Sequence, residues 1–342
     1  MARRARSRAG AAPRRPRARR NRLPARWPAA GPAGGKSSAQ QGARVVRLTT
    51  ARRLSAARRR ATERSHRSPR AAGPAIPATL DFHLSACVAC ARAGARVLME
   101  YWGKRETYAV QEKGRNDFVT IVDRRAEEAI VRLIHGRFPD HAVIAEESPP
   151  SGGSSGYRWY IDPLDGTTNF IHGYPLFCVS VGLADPQGMR AAAVYDPLRN
   201  EMFTATRGGG AFLNGEPIRV SPAEKLSKAL LVTGFPYRSL HRLDTYLGSF
   251  RSFVLGSSGI RRDGSAALDL AYVAGGRYDG FWEMSLSPWD VAAGSLIVRE
   301  AGGVVTDFQG RDEFLTSGDI VAAPPNVHAA MLRVVREPEV SG

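Results

Sequence analysis

The sequence predicts a layered α/β fold in two subdomains, and three observations carry that prediction. Residues 126–138 and 288–301 repeat apolar side chains at helical spacing. Residues 142–145, 157–161, 304–308 and 320–323 are short apolar runs of strand length. Residues 178–215 switch to alternating runs broken by Gly208-Gly209-Gly210 and Asn214-Gly215, the pattern of an antiparallel sheet. Helices and strands alternate on both sides of that sheet, with a subdomain boundary expected near 190–230.

Taken in order, residues 79–102 carry Leu84, Val88, Val97, Leu98 and Tyr101 on a helical stripe that Gly94 interrupts and Gly103 stops. Residues 117–123 are rich in β formers and lead into a helix marked by Ala126, Ile130, Leu133, Ile134 and Phe138, with Asp123 expected as its N-cap. The strand at 142–145 ends in Glu146-Glu147, and 151–156 is a Gly/Ser loop. Tyr160 and Ile161 close a buried strand that delivers Asp162 and Asp165 into a turn. There Pro163 fixes the backbone, Gly166 admits a conformation that a Cβ resists, and Thr167 and Thr168 cap a short helix whose free N–H groups favour an anion. Further on, 265–274 is a small-residue helix, 277–284 a strand, and 288–301 a helix with Ser287 as N-cap, Pro288 at its first position and Gly302 closing it. Strands at 304–308 and 320–323 and a helix at 326–335 complete the body.

The formal charge of +17 over 342 residues invites a nucleic-acid reading until its distribution is considered. Residues 1–80 hold 22 Lys and Arg against a single acid, Glu63, a net +21, so the rest of the chain carries a net −4. The basicity belongs to an Arg/Ala/Pro-rich extension, expected to be disordered over 1–78 because it has too few large apolar residues to offset the entropy of ordering. Such a leader is read as an organellar transit peptide, as a contact for RNA or an anionic surface, as an anchor for a partner, or as an extension without function. No apolar run approaches the roughly 18 residues a membrane span needs. Three cysteines cannot build a disulfide framework and fit a reducing, cytoplasmic compartment, with an organelle as the alternative if the leader is a transit peptide. Cys87 and Cys90 have redox or zinc spacing, but no second pair or nearby His completes it, so they are read as helix-packing thiols.

Acids stand at the ends of several predicted elements: Glu146 and Glu147, Asp162 and Asp165, Asp290, and Asp123 beside Thr120. Brought together, each close pair would repel by roughly 4 kcal/mol at an effective dielectric of 20. Such a cluster calls for cations, and oxygen ligands without His or Cys favour Mg²⁺, in a two-metal arrangement.

These segments resemble the motifs of the inositol monophosphatase family in order and spacing. They are Glu146-Glu147-Ser148, the run from Trp159 through Asp162-Pro163-Leu164-Asp165-Gly166-Thr167-Thr168-Asn169 to Phe170, Trp289-Asp290-Val291-Ala292-Ala293-Gly294, and Glu300-Ala301-Gly302-Gly303. The resemblance covers residues 79–338. Residues 113–120 and 261–267 look most like the bacterial members.

The resemblance implies a five-layered αβαβα sandwich, usually a homodimer, that hydrolyses phosphate monoesters with Mg²⁺ and is often lithium-sensitive. It implies that Glu146, Asp162 and the Leu164 carbonyl hold one ion, and Asp162, Asp165 and Asp290 the second. A third, weaker ion would touch Glu146 through water, with Glu147 orienting the ligands. It also implies that Thr167, held by Asp123, orients the attacking water, that Gly166, Thr167 and Thr168 receive the phosphate, and that Lys113 lies on a mobile loop over the site. Ser265, Ala266 and Glu283, with Asp165, match positions that contact inositol hydroxyls, which favours a small phosphorylated polyol, myo-inositol 1-phosphate. Relatives acting on histidinol phosphate, fructose 1,6-bisphosphate or 3′-phosphoadenosine nucleotides keep the same metal motifs. From another class, the basic tail supports an RNA-associated regulatory role.

Overall fold

The computed structural model describes residues 81–114 and 117–337; the side chains of Lys113, Gly114 and Asp117 fall outside that description. The expected disordered extension over 1–78 lies outside the described residues.

The chain opens with α1 (Phe82–Tyr101), whose N-terminal N–H groups on His83 and Leu84 donate to the Asp81 carboxylate. Its buried face carries Leu84, Cys87, Val88, Ala91, Ala95 and Leu98, so both thiols of the Cys87/Cys90 pair serve as packing groups. Truncating a residue such as Leu98 to Ala would cost about 2–5 kcal/mol. Gly94, which looks like an interruption in sequence, is the crossing point with the next long helix: a Cβ there would stand 2.8 Å from Ile130 Cδ1. A hairpin of β1 (Val110–Gly114) and β2 (Asp117–Thr120) then leads into α2 (Ile121–Arg137). The N-cap of α2 is Thr120, not Asp123. Asp123 sits three residues later and closes a capping box, its Oδ2 accepting from the Thr120 N–H at 2.8 Å.

β3 (Ala142–Ala145) and β4 (Arg158–Asp165) pair in parallel. After the short helix α3 (Thr167–His172) come β5 (Cys178–Asp185), β6 (Gly188–Asp196), β7 (Glu201–Thr206), β8 (Gly210–Leu213) and β9 (Glu216–Pro217), all antiparallel. Together β3 to β9 make a seven-stranded sheet in sequence order. A second, five-stranded sheet has the order β11-β10-β12-β14-β13. Its strands are β10 (Leu230–Thr233), β11 (Gly259–Arg261), β12 (Gly280–Glu283), β13 (Val304–Thr306) and β14 (Ile320–Ala323). The helices of this half are α4 (Leu243–Gly256), α5 (Ala266–Ala274), α6 (Pro288–Glu300), α7 (Phe314–Ser317) and α8 (Pro325–Arg336).

Side-chain alternation shows that both sheets are interior layers. On β5 and β6, Val179, Val181, Ala191 and Ala193 pack with α1 and α2, while Cys178, Ala192 and Val194 join α5 and α6. On β12 and β14, Phe281, Ile320 and Ala322 face α5 and α6, while Trp282, Val321 and Ala323 face α4 and α8. The order is therefore helix, sheet, helix, sheet, helix, the expected five layers, and strands buried on both faces explain the near-continuous apolar runs.

Candidate active site

The two central acids owe their common direction to a break in strand regularity. In the β4–β5 ladder Asp162 pairs with Ser180 and Asp165 with Cys178, so three steps on β4 match two on β5. Side chains three apart on a regular strand face opposite ways; one extra residue at Pro163-Leu164 turns both acids to the same side. Pro163 suits the bulge because it has no N–H to leave unpaired. The strand thus runs through both acids, where the sequence suggested a turn. Gly166 follows at φ 99°, and α3 begins at Thr167. The helix is therefore not capped by Thr167 or Thr168: Gly166 is its N-cap and the threonines occupy its first two positions.

A cavity of about 440 Å³ gathers Glu146, Asp162, Leu164, Asp165, Gly166, Thr167, Thr168, Ser265, Ala266, Glu283 and Asp290 on one wall or another. Of the other expected residues, Asp123 and Glu147 do not line it. Lys113 has its backbone in β1 rather than on a loop, and its side chain lies outside the described residues.

The electrostatics mark this cavity as costly for anions. Burial pushes the Asp162 carboxyl well above the usual carboxylate range, and Glu146, Asp165 and Asp290 push it further, against one N–H from Leu164 at 3.0 Å. Asp165 is also raised by burial, opposed by the Ser265 hydroxyl and the Ala267 N–H, both 2.7 Å from its Oδ2. Asp165 therefore anchors the start of α5 as well as facing the cavity. Asp290 occupies the third position of α6 and accepts from the Ser287 N–H at 2.7 Å, a second capping box with the Thr120–Asp123 spacing. Burial pushes Glu283 up to about 8, with Asp290 and Asp165 adding to the rise and Arg262 and Arg238 opposing it. Asp123, fully buried, is raised by burial and held down by its hydrogen bonds to Thr120 and Thr167.

Thr167 Oγ1 lies 3.0 Å from both Asp123 Oδ1 and the Leu164 carbonyl. The hydroxyl has one proton for two acceptors, so its lone pairs remain directed to accept from a third group such as water. Among the described residues, no three Asp, Glu, His or Cys side chains are gathered tightly enough to hold an ion as they stand. The donor set nonetheless fits Mg²⁺: the carboxylates of Glu146, Asp162, Asp165 and Asp290 and the residue Leu164 line a single cavity and offer only oxygen, and Asp162, the most buried of the four acids, is pushed up by the like charge of the other three.

Sequence reasoning missed several contributors. Glu127, buried on α2, accepts the Glu147 N–H at 2.7 Å and so fixes the Glu146-Glu147 corner; its place four residues after Asp123, on the same helix face, was the available signal. The Asn169 amide donates to the Leu176 and Asp263 carbonyls at 2.8 and 2.9 Å, tying α3 to the loop before α5. Gly234, Phe235, Tyr237, Arg238 and Arg262 also line the cavity. The Arg262 guanidinium lies 5.3 Å from the Phe235 ring and 5.7 Å from that of Tyr237. A Cβ on Gly234 would come within 2.0 Å of Glu283 Oε1, so only glycine leaves that carboxyl its place.

Mixed sheets layered with helices, carrying an acid-lined cavity, define the class: a layered α/β fold with an oxygen-donor site. Within that class the chain belongs to the inositol monophosphatase family, whose profile matches residues 80–339. It is 48% identical over 258 residues to Nus factor SuhB of Pseudomonas aeruginosa, an alignment covering 74% of this chain and 95% of that protein. Among solved structures it is similar to the extragenic suppressor protein suhB from Bartonella henselae, with TM-score 0.73, 41% identity, and coverage of 75% of this chain and 99% of that one. It is also similar to the inositol monophosphatase from Anabaena, with TM-score 0.67, 38% identity and coverage of 75% and 97%. Among the described residues no helix is long and apolar enough to cross a membrane.

Proposed function

We propose that the protein is a Mg²⁺-dependent phosphate monoester hydrolase acting on a small phosphorylated polyol, with myo-inositol 1-phosphate the favoured substrate. The observation that carries this reading is the meeting, in one cavity, of Glu146, Asp162, Asp165 and Asp290 with the Gly166–Thr168 corner, behind which Asp123 holds Thr167. Glu146, Asp162 and the Leu164 carbonyl would hold one ion, and Asp162, Asp165 and Asp290 another. When bound, Mg²⁺ supplies positive charge against the phosphate and lowers the pKa of water. Thr167 accepts a hydrogen bond from the attacking water and passes the pull to Asp123, which orients the water and holds its proton during attack. The N–H groups of Gly166 and Thr167 face the phosphate oxygens and favour the charge that develops on them. Glu283 and Ser265 stand where hydroxyls of the alcohol would bind. Water attacks phosphorus directly, with no covalent phosphoenzyme.

Asp162→Asn keeps the shape and removes the central charge, so Mg²⁺-dependent release of phosphate from inositol 1-phosphate should fall by at least about a hundredfold. Turnover close to that of the parent chain would sink the reading. A kcat/KM panel with histidinol phosphate, fructose 1,6-bisphosphate and phosphoadenosine phosphate ranks the alcohols.

A second reading draws on relatives 44–48% identical that bear the name Nus factor SuhB or putative Nus factor SuhB: a Nus-factor role for this chain, alongside or instead of catalysis. Salt-sensitive RNA binding lost on deleting residues 1–78, with hydrolysis unchanged, would assign nucleic-acid contact to the tail; no RNA binding by the full chain at low salt would remove it.

A further inference from the structure

Arg238 lies on the loop after β10, in a 3₁₀ segment (Tyr237–Arg242) that is kinked at Ser239. Its guanidinium reaches into the cavity and stands 3.7 Å from Glu146 Oε1 and 3.7 Å from Asp290 Oδ2, while its Nη1 donates to the Ser287 hydroxyl at 3.2 Å. Those two acids come from distant parts of the chain and, on the reading above, serve different ions. One side chain therefore spans both halves of the ligand set, and the N-cap of α6 fixes its direction. We infer that Arg238 is a built-in counter-cation that competes with the divalent ions for Glu146 and Asp290, and so sets the affinity at which the site loads.

The argument is one of charge and exchange. A guanidinium is always ionised and offers planar donors that suit carboxylates, so it relieves part of the repulsion among the acids without any ion. A divalent ion entering the same interval meets that positive charge and must displace it. The side chain is well exposed at 43%, while Glu146 and Asp290 are 9% and 10% exposed, so the arginine can leave for solvent and the acids cannot. Arg262 lines the same cavity with its guanidinium against the Phe235 and Tyr237 rings, which makes it the internal control.

The inference rests on the metal reading, and the experiment separates the two. Isothermal calorimetry with MgCl₂ and melting in EDTA are run on the full chain and on Arg238→Ala, Arg238→Lys, Arg262→Ala and Asp162→Asn. Arg238→Ala should bind Mg²⁺ about five- to tenfold more tightly than the parent, as expected for removing a competing, partly exposed pair of ionic contacts, and Arg238→Lys should fall between. In EDTA the alanine variant should melt lower than the parent, and at saturating Mg²⁺ the gap should close. Arg262→Ala should change Mg²⁺ affinity less than Arg238→Ala does. Mg²⁺ affinity unchanged or weakened in Arg238→Ala, with normal binding by the parent and loss in Asp162→Asn, overturns the inference and leaves the metal reading standing. No Mg²⁺ binding by the parent overturns both.

Discussion

Replacing Glu283 by Gln should flatten the pH dependence of stability of the ion-free protein. Burial lifts this carboxyl from 4.5 to about 8. Because the folded-state value lies above the unfolded one, the contribution of the neutral acid is complete below the unfolded value and is lost as pH rises through the folded one. Between pH 5 and 7 the folded protein keeps the proton that the unfolded chain gives up, at about 1.4 kcal/mol per pH unit, or up to about 2.7 kcal/mol over the interval. For a body of this size each kcal/mol moves Tm by about 2–4 °C, so the parent should lose up to about 5–10 °C that the Gln variant keeps. Asp162, Asp165 and Asp123 are raised as well and slope the same way, while burial lowers His83, His141 and His328 and gives the opposite slope on the acid side. The informative quantity is therefore the difference between the two proteins, measured by differential scanning calorimetry in EDTA at pH 5, 6 and 7. Parallel Tm curves would refute the argument that Glu283 is held neutral by its surroundings.

Asp123→Asn keeps the shape of the buried side chain but removes the charge facing the Thr167 hydroxyl, so kcat should fall by about 10²–10⁴ with KM little changed, as steady-state kinetics at saturating Mg²⁺ would report. Gly166→Ala places a Cβ 3.1 Å from the Leu176 carbonyl at φ 99° and should cost about 1–2 kcal/mol in urea denaturation for its left-handed backbone alone, with more from the contact. Gly208→Ala, at φ 74° with nothing within 4 Å, carries the backbone cost alone and isolates the contact by difference. Glu127→Gln weakens the acceptor for the Glu147 N–H, so Mg²⁺ affinity by calorimetry should fall about tenfold while the far-ultraviolet circular dichroism is unchanged.

Where one period dominates, sequence and structure agree closely: β3 and β14 occupy the expected residues, and α6 has the expected Ser287 cap and Pro288 start. Glu146 and Glu147 were legible because they directly follow β3, and Asp123 and Asp290 because they stand in the first turns of α2 and α6; Asp162 instead lies inside β4. The misplacement of Asp123 has a simple cause: in Thr120-x-x-Asp123 both ends are good caps, and only the backbone decides which is first. β10, α4 and β11 left no clear trace. In α4, Tyr246 and Phe253 are buried while Leu243, Leu247, Val254 and Leu255 are exposed, so apolar residues surround the helix and no single stripe emerges. The cationic wall was illegible for another reason. Nothing local in Phe235-Pro236-Tyr237-Arg238 says that the loop will fold onto the cap of α6; that contact joins the loops after β10 and β12, which become neighbours only when those two strands pair.

The same devices that build the fold also make its acids tolerable. Asp123 and Asp290 are the third residues of α2 and α6, and Asp165 accepts from the first turn of α5. Each therefore sits against the positive end of a helix macrodipole, worth about half a charge apiece. Three such ends supply roughly 1.5 units of positive charge against Glu146, Asp162, Asp165, Asp290 and Asp123, so a large negative excess remains. Arg238 reduces it further and Glu283 avoids adding to it by staying protonated. What is left is a cavity strongly negative toward cations until they bind. Two divalent ions would reverse its sign even with Arg238 displaced, because the helix ends that could not balance the acids alone would then be in excess. An anion such as a phosphate ester is attracted only in that second condition, which makes cation loading a precondition of substrate binding by charge balance alone.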